Sequence, residues 1–516
     1  MALSKIIVFI RTYIDMFIDF VFGLYWEGKR RPIPDLEKKH RFLSDSAVSL
    51  AAKIRNRELK SEELVNACIE RIKIVNPIIN AVTDERFEDA LKEAREIDLQ
   101  IAGGLPKDYF EGRPFLGVPF TVKECTAVQG MLITIGLISR RHTRADEDSE
   151  CVRLLRQAGA IPLAVTNVPE GLLWQESRNM LYGQTKNPYH TGRTTGGSSG
   201  GEGALCAALG SPISLCSDLG GSTRMPAMYC GLYALNPTAG HTNLKGLAMR
   251  TGKEPTMGAI GFVSKHCEDL APLTKIVAGD KARELNLDRR VDVKNIKVYY
   301  VESTQDPLVS PISAELRQTM KKAITTLSDV SSHPPKQYYH EGFNHMFTLW
   351  KYWMTKEPEK FRWFVKNNRE EANGWVELAK KLVGQSEHTI SAILKVLDDQ
   401  IMPVADAKWA ESMTSDTKND IVRTLGADGV LLFPSVSHVA PYHYSLLLRP
   451  YQASHWSVFN ALQLPSAQVP LGLNKDGIPL GIQVVAAPKQ ESLCLAVADY
   501  LGKQIGGYVP PCKINQ

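Results

Sequence analysis

Residues 196–231 read GGSSGGEGALCAALGSPISLCSDLGGSTRMPAMYCG, and this stretch rich in glycine and serine is the most informative part of the chain. Its second half places two glycines directly before Ser222. Glycine adopts positive φ without steric cost, so several successive amides can point into one small space. Such N–H donors suit an oxyanion hole, which stabilises the negative oxygen that forms when a serine attacks a carbonyl. The pattern predicts Ser222 as a nucleophile, with donors from the backbone of Leu219, Gly220, Gly221 and Ser222.

The first half of the stretch does not fit the two glycine-rich motifs that it superficially matches. A phosphate-binding P-loop needs a lysine and a hydroxyl residue after its last glycine, and neither is present. The string GxSxG occurs at Ser198 and Ser199, but polar HTGRTT precedes it where a nucleophile elbow needs an apolar strand. Neither a nucleotide site nor an α/β-hydrolase triad is therefore predicted.

A serine hydroxyl needs a base to become an effective nucleophile, and Lys123 is a candidate for this role. Lys123 follows the apolar run 118–122, which has the length and composition of a buried strand. Burial at a strand end would lower the pKa of the lysine and leave part of it neutral. On spacing alone, however, a solvated surface lysine is the simpler interpretation.

Taken together, these segments resemble the amidase signature family, in which a Gly-Ser-Ser-Gly-Gly stretch precedes Asp-x-Gly-Gly-Ser-x-Arg. Both halves occur here in register, and the resemblance extends from about Leu43 to Pro511. It implies the α/β amidase signature fold, a large twisted mixed β-sheet covered by helices on both faces. It also implies a catalytic triad of Ser222 as nucleophile, Ser198 as a bridging serine with a cis peptide bond, and Lys123 as base.

The resemblance further implies amide hydrolysis through an acyl-enzyme, with no metal and no organic cofactor. Three neighbours of the triad, Ser199, Asp218 and Arg224, are then expected to hold the loops in shape. Within the family the chain is most similar to the membrane-associated fatty-acid amide hydrolases, since an apolar segment precedes the signature domain. The implied substrate is a lipid-like long-chain amide. The alternatives are an amidase acting on short-chain amides or glutamine, like the amidotransferase subunit that shares the signature, and an inactive lipid-binding relative.

Patterning divides the chain into an N-terminal helix over 1–28, a proline-containing linker over 29–42, a catalytic domain over 43–511 and a tail over 512–516. The apolar runs 118–122 and 160–165 alternate with amphipathic helical segments, which predicts an α/β architecture for the catalytic domain. From about residue 290 to 430 the pattern turns helical and polar, which suggests an insertion or lid. Its aromatic part, HMFTLWKYWMTKEPEKFRWF at 345–364, either lines an acyl channel or packs as ordinary helix core.

The segment 6–26 is apolar apart from three charged residues, Arg11, Asp15 and Asp19. It is long enough to span a bilayer. The charges recur every four residues and form one stripe along a helix, which fits a helix lying in the membrane interface. We expect membrane association, spanning or interfacial, with the basic residues 29–31 keeping the catalytic domain cytosolic. A helix packed on the body or in a homodimer interface is the alternative.

The charge balance excludes one broad class of partner. A formal net charge of +5 arises from 61 basic and 56 acidic residues, which gives no dominant positive field of the kind that binds nucleic acid. The nine cysteines do not occur in zinc-ligand spacing, so we expect scattered, buried thiols and no metal site.

Overall fold

The structure, a computed structural model, describes the backbone of residues 2–515 and the side chains of residues 8–515. Within this part of the chain the strands are β1 (Val82–Glu85), β2 (Pro119–Lys123), β3 (Ile161–Thr166), β4 (Arg178–Asn179), β5 (Gly183–Gln184), β6 (Ile213–Asp218), β7 (Tyr233–Asn236), β8 (Ala259–Ser264), β9 (Lys297–Tyr300), β10 (Lys336–Gln337), β11 (Gly429–Phe433), β12 (Ser466–Leu473) and β13 (Pro479–Ala486). The α-helices are α1 (Ala2–Trp26), α2 (Ala47–Arg55), α3 (Ser61–Ile79), α4 (Phe87–Ala102), α5 (Lys107–Glu111), α6 (Glu150–Gln157), α7 (Gly200–Ala207), α8 (Arg224–Tyr229), α9 (Leu270–Ala278), α10 (Ala314–Ser328), α11 (Met346–Met354), α12 (Phe361–Phe364), α13 (Gly374–Leu382), α14 (Ile390–Ile401), α15 (Ala407–Leu425), α16 (Ser454–Ala461) and α17 (Glu491–Ile505).

Eleven of these strands form one mixed sheet in the spatial order β1-β3-β2-β6-β8-β7-β12-β13-β11-β9-β10, and β4 and β5 form a separate hairpin. Strand β2 runs parallel to β3 and β6, whereas β6, β8 and β7 alternate in direction. Every residue of β2, β3 and β11 is buried, as expected for strands covered on both faces. The predicted fold, a large mixed sheet with helices on both faces, is confirmed.

The topology brings two parts of the predicted site to the same edge of the sheet. Strands β2 and β6 are parallel neighbours, with Val122 opposite Leu215. Their carboxyl ends are Lys123 and Asp218, which therefore emerge side by side. Crevices beyond the carboxyl ends of parallel strands are common ligand sites in α/β proteins.

The glycine-rich stretch between these strands is more helical than its composition suggests. Helix α7 begins at Gly200 and ends at Ala207, so it includes most of the apolar segment 204–209. Glycine costs about 1 kcal/mol relative to alanine within a helix, so propensity alone does not predict a helix that begins there. The glycines allow close packing, because a Cβ on Gly201 would lie 2.5 Å from the backbone nitrogen of Asn167.

Both the predicted linker and the predicted tail pack on the catalytic body. Leu36 is buried, and its N–H donates to the carbonyl oxygen of Lys513 at 2.9 Å. Met1, the first residue of the predicted N-terminal helix, and Gln516, the last residue of the predicted tail, lie outside the described residues. The predicted helical insertion at about 290–430 contains helices α10–α15, but it also contributes β9 and β10 to the main sheet. It is therefore not a separate helical lid.

Helix α1 packs on the body through its charged stripe. Arg11 donates to the carbonyl oxygens of Pro307 and Leu308 at 2.5 and 2.8 Å, and Asp19 pairs with Arg449 at 2.5 Å. Ile18 is buried with this stripe, but most of the apolar residues instead face outward, with exposed fractions of 42–74% for Val8, Phe9, Ile10, Tyr13, Ile14, Met16, Phe17, Phe20, Val21, Leu24 and Tyr25. Among the described residues, no helix combines the length and the apolar character needed to cross a bilayer.

Candidate active site

Lys123 is a buried residue at the end of β2, with only 2% of its surface exposed. Its Nζ donates to Oγ of Ser198 at 2.8 Å, and it lies 3.1 Å from both the carbonyl oxygen and Oγ of Ser217. The interpretation as a solvated surface lysine is therefore wrong. Lys123 instead lies in a group of hydroxyls and carbonyls beside the glycine-rich loops.

Ser198 is held at the tight turn that leads into α7. The peptide bond between Gly197 and Ser198 is cis. A Cβ on Gly197 would lie 2.3 Å from the carbonyl oxygen of Trp174, so only glycine fits between these two segments. The next residue links the two halves of the motif, because the N–H of Ser199 donates to the carbonyl oxygen of Ser222 at 3.2 Å.

The three predicted triad residues come together in the wall of one cavity, which Lys123, Ser198 and Ser222 all line. The Lys123–Ser198 hydrogen bond is formed, but the side chains of Ser198 and Ser222 share none within the described part of the chain. Catalytic hydrogen bonds are often long without substrate and tighten when it binds. The geometry thus supplies a lysine–serine pair with a second serine in the same cavity.

The loop that carries Ser222 is held by a buried ion pair between Asp218 and Arg224. Asp218 and Arg224 have no exposed side-chain surface, and two hydrogen bonds of 3.0 Å join them. The Asp218 carboxylate also accepts from the N–H groups of Gly221 at 2.7 Å and Thr223 at 3.1 Å. Burial alone would raise the pKa of Asp218, but the Arg224 guanidinium and these N–H groups lower it to about 2. The loop therefore surrounds a permanent negative charge.

This arrangement changes the predicted oxyanion hole. The N–H of Gly221 points to Asp218, so it is not free to bind a substrate oxygen. The N–H groups of Leu219, Gly220 and Ser222 have no hydrogen-bond partner among the described residues. Trp350 supports this part of the loop, since its Nε1–H donates to the carbonyl oxygen of Leu219 at 3.0 Å. Three of the four predicted donors are thus available.

Two residues near Lys123, the half-buried Ser217 and the buried Glu202, were not found from the sequence. Ser217 contacts Lys123 through both its carbonyl and its hydroxyl, and its place one residue before the end of β6 was the available signal. Glu202 lies on α7 and accepts hydrogen bonds from Thr121 at 2.6 Å and Thr166 at 2.8 Å. Burial outweighs these hydrogen bonds and raises the pKa of Glu202 to about 7.

The cavity beyond the serines has a volume of about 430 Å³ and a largely apolar wall. The aromatic segment contributes Phe347, Trp350, Phe361 and Phe364 to this wall. Its other tryptophans lie elsewhere, because Trp353 donates to Thr414 at 2.9 Å and Trp363 is 43% exposed. The segment is therefore partly cavity lining and partly helix packing. No group of three or more potential metal ligands occurs among the described residues.

Comparison with known proteins agrees with this architecture. The protein-family model named Amidase matches residues 63–495. Fatty-acid amide hydrolase 2 of Homo sapiens is 39% identical over 480 residues, which cover 91% of this chain and 90% of that protein. Fatty-acid amide hydrolase 2-A of Danio rerio is 38% identical, again over 480 residues, with the same coverage of both chains.

A solved structure titled fatty acid amide hydrolase superimposes with a TM-score of 0.72 at 20% identity, and covers 92% of this chain and 87% of that one. At this level of identity the structural match shows the fold alone. The family match and the relatives above 30% identity extend along most of the chain. The chain therefore belongs to the amidase signature family of serine hydrolases.

Proposed function

We propose that the protein hydrolyses long-chain acyl amides to a fatty acid and an amine, through an acyl-enzyme on Ser222. The observation that carries this proposal is the buried Lys123, which is hydrogen-bonded to Ser198 and lines the same largely apolar cavity as Ser222. A lysine held in this way can serve as a base toward a serine when it is neutral.

In the proposed reaction, Ser222 attacks the amide carbonyl while its proton passes to Ser198 and that of Ser198 to Lys123. The proton returns along the same path to the departing nitrogen, which would otherwise leave as an unstable amine anion. Water then enters the cavity, and the same three residues activate it to hydrolyse the acyl-enzyme. Every proton returns to its starting position after the second half-reaction.

The negative oxygen formed in each half-reaction is stabilised by the free N–H groups of Leu219, Gly220 and Ser222. One donor of this kind contributes about 10²–10³ to turnover in other serine hydrolases. The Asp218 carboxylate does not bind the substrate in this scheme. It orients the loop by accepting a hydrogen bond from the N–H of Gly221, which in this scheme leaves the neighbouring amides turned toward the cavity.

The choice of a long acyl chain rests on the cavity and on the relatives. The cavity falls in the usual range for ligand pockets, about 300–1,000 Å³, and its aromatic lining suits a hydrocarbon chain. The names of the human and zebrafish relatives state fatty-acid amide hydrolysis, which supports the same substrate class here.

The test is hydrolysis of an oleoyl amide, a butyryl amide and glutamine by the detergent-solubilised wild type and Ser222→Ala. We expect the wild type to hydrolyse the oleoyl amide and Ser222→Ala to be inactive toward it. Turnover of only the butyryl amide or glutamine would contradict the lipid substrate and leave the nucleophile standing. Full activity in Ser222→Ala would contradict the mechanism, and an inactive wild type would favour a lipid-binding role.

We also propose that α1 associates with the membrane by lying in its interface, on the cytosolic side. Its outward apolar residues would enter the acyl region, while its charges stay bound to the body. Replacing both Phe17 and Leu24 by serine should reduce co-flotation with vesicles of phosphatidylcholine and phosphatidylserine. Leu99→Ser, which changes a residue 74% exposed on α4, is the control. Equal flotation of all three proteins would contradict the proposal.

A further inference from the structure

Arg449 links helix α1 to the wall of the cavity. It is 2% exposed and follows the short 3₁₀ turn 445–448. Its Nη2 donates to Asp19 of α1 at 2.5 Å and to Oγ of Ser445 at 3.1 Å. Its Nε and Nη1 are buried without a partner among the described residues. Among the described residues, Asp19 is the one acidic group within salt-bridge distance of this buried charge.

The segment on either side of Arg449 faces the cavity. Leu447, Pro450 and Tyr451 all line it. The Tyr451 ring lies 4.4 Å from that of Phe347, and its hydroxyl donates to Asp398 at 3.1 Å. One short segment thus has α1 on one side and the substrate cavity on the other.

The same segment lies where the cavity reaches the surface. Ile401 lines the cavity and is nevertheless 60% exposed, which marks an opening at the end of α14. The Tyr451 hydroxyl donates to Asp398, which lies on α14 with Ile401. Leu448, three residues before Tyr451, is also 60% exposed. A long acyl chain that fills the cavity would contact this wall, whereas a short one would stay near Ser222.

We propose that Arg449 is a positioning residue for long acyl chains, and that its ion pair with Asp19 makes α1 part of the substrate-binding wall. The inference rests on the proposed acyl-amide hydrolysis. Without Asp19 the buried guanidinium loses its one ion pair within the described residues, which is unfavourable for a charge removed from water. The 3₁₀ turn is short and weakly hydrogen-bonded, so we expect it to shift until the guanidinium reaches water.

The test compares Asp19→Asn, Asp19→Glu and the wild type, solubilised in the same detergent so that membrane binding does not enter. Asp19→Asn should raise the KM for an oleoyl amide about tenfold, the effect of 1.4 kcal/mol, and leave kcat and the KM for a butyryl amide unchanged. Asp19→Glu keeps a carboxylate at this position, so its KM for the oleoyl amide should lie close to that of the wild type. Asp499→Asn, which removes an exposed pair with Lys503 on α17, should change neither substrate.

An unchanged KM for the oleoyl amide in Asp19→Asn would overturn the inference. Equal losses on both substrates would overturn it as well, because they would indicate general damage to the fold. Arg449→Lys provides a second variant, since it keeps the charge but loses the fork geometry, and it should shift the same KM. A wild type without oleoyl turnover would contradict the proposed function itself and is distinguishable from these results.

Discussion

Gly221→Ala is the sharpest test of how the loop before Ser222 works. Gly221 has a φ of +107°, a conformation that costs a non-glycine residue about 1–3 kcal/mol. Its new Cβ would lie 2.6 Å from Cβ and 3.1 Å from Cγ of Trp456, which is fully buried. Overpacking of this kind costs a further 1–3 kcal/mol or so. We therefore expect a loss of about 2–6 kcal/mol in stability.

The same substitution should also displace the N–H groups of Leu219, Gly220 and Ser222, which we propose as the oxyanion hole. A misplacement of about 1 Å can reduce turnover about hundredfold, so kcat should fall even in the fraction that remains folded. Thermal unfolding and oleoyl amide turnover measure the two effects. Gly104→Ala is the control, because Gly104 has a φ of +90° but no atom within 4 Å of the new Cβ. Wild-type turnover in folded Gly221→Ala would refute the reasoning.

Three further variants test the groups around the serines. Lys123→Met should reduce amide turnover by about 10²–10⁴, the usual contribution of a general base, and near-normal turnover would contradict its role. Glu202→Gln should weaken the pH dependence of stability: the buried carboxyl has its pKa raised from 4.5 to about 7, so the wild type loses stability as pH rises through this range. Melting temperatures across that range test this, and an unchanged slope would contradict it. Asp218→Asn should destabilise the fold by about 3–5 kcal/mol, because Arg224 is left as a buried charge without its counterion. Thermal unfolding like that of the wild type would show that the pair does not hold the loop.

Much of the fold follows from local patterns in the sequence. The apolar run 118–122 predicts β2, and 160–165 predicts β3, each within one residue of its observed bounds. These strands are buried on both faces, so they appear as continuous apolar runs. The glycine pair before Ser222 likewise predicts a loop with positive φ, which Gly221 has.

Other parts of the site depend on contacts between distant segments. Ser217 meets Lys123 because β2 and β6 are parallel neighbours, and no local pattern specifies that pairing. The engagement of the Gly221 N–H depends on the Asp218 side chain turning back to its own loop. The sequence predicts that the charged residues of α1 share one face of the helix. That this face turns toward the body depends on Arg449, which binds Asp19 from 430 residues later in the chain.

The two outermost strands of the sheet bear on how copies of this chain can associate. β10 consists of two exposed residues, Lys336 and Gln337, and β1 has four residues that end in Asp84 and Glu85. Long, flat, uncharged edge strands can pair with strands of other molecules, whereas short, charged edge strands discourage such pairing. We therefore do not expect copies of this chain to associate by pairing these edge strands. A high local concentration should not drive these molecules to join their sheets into fibrils.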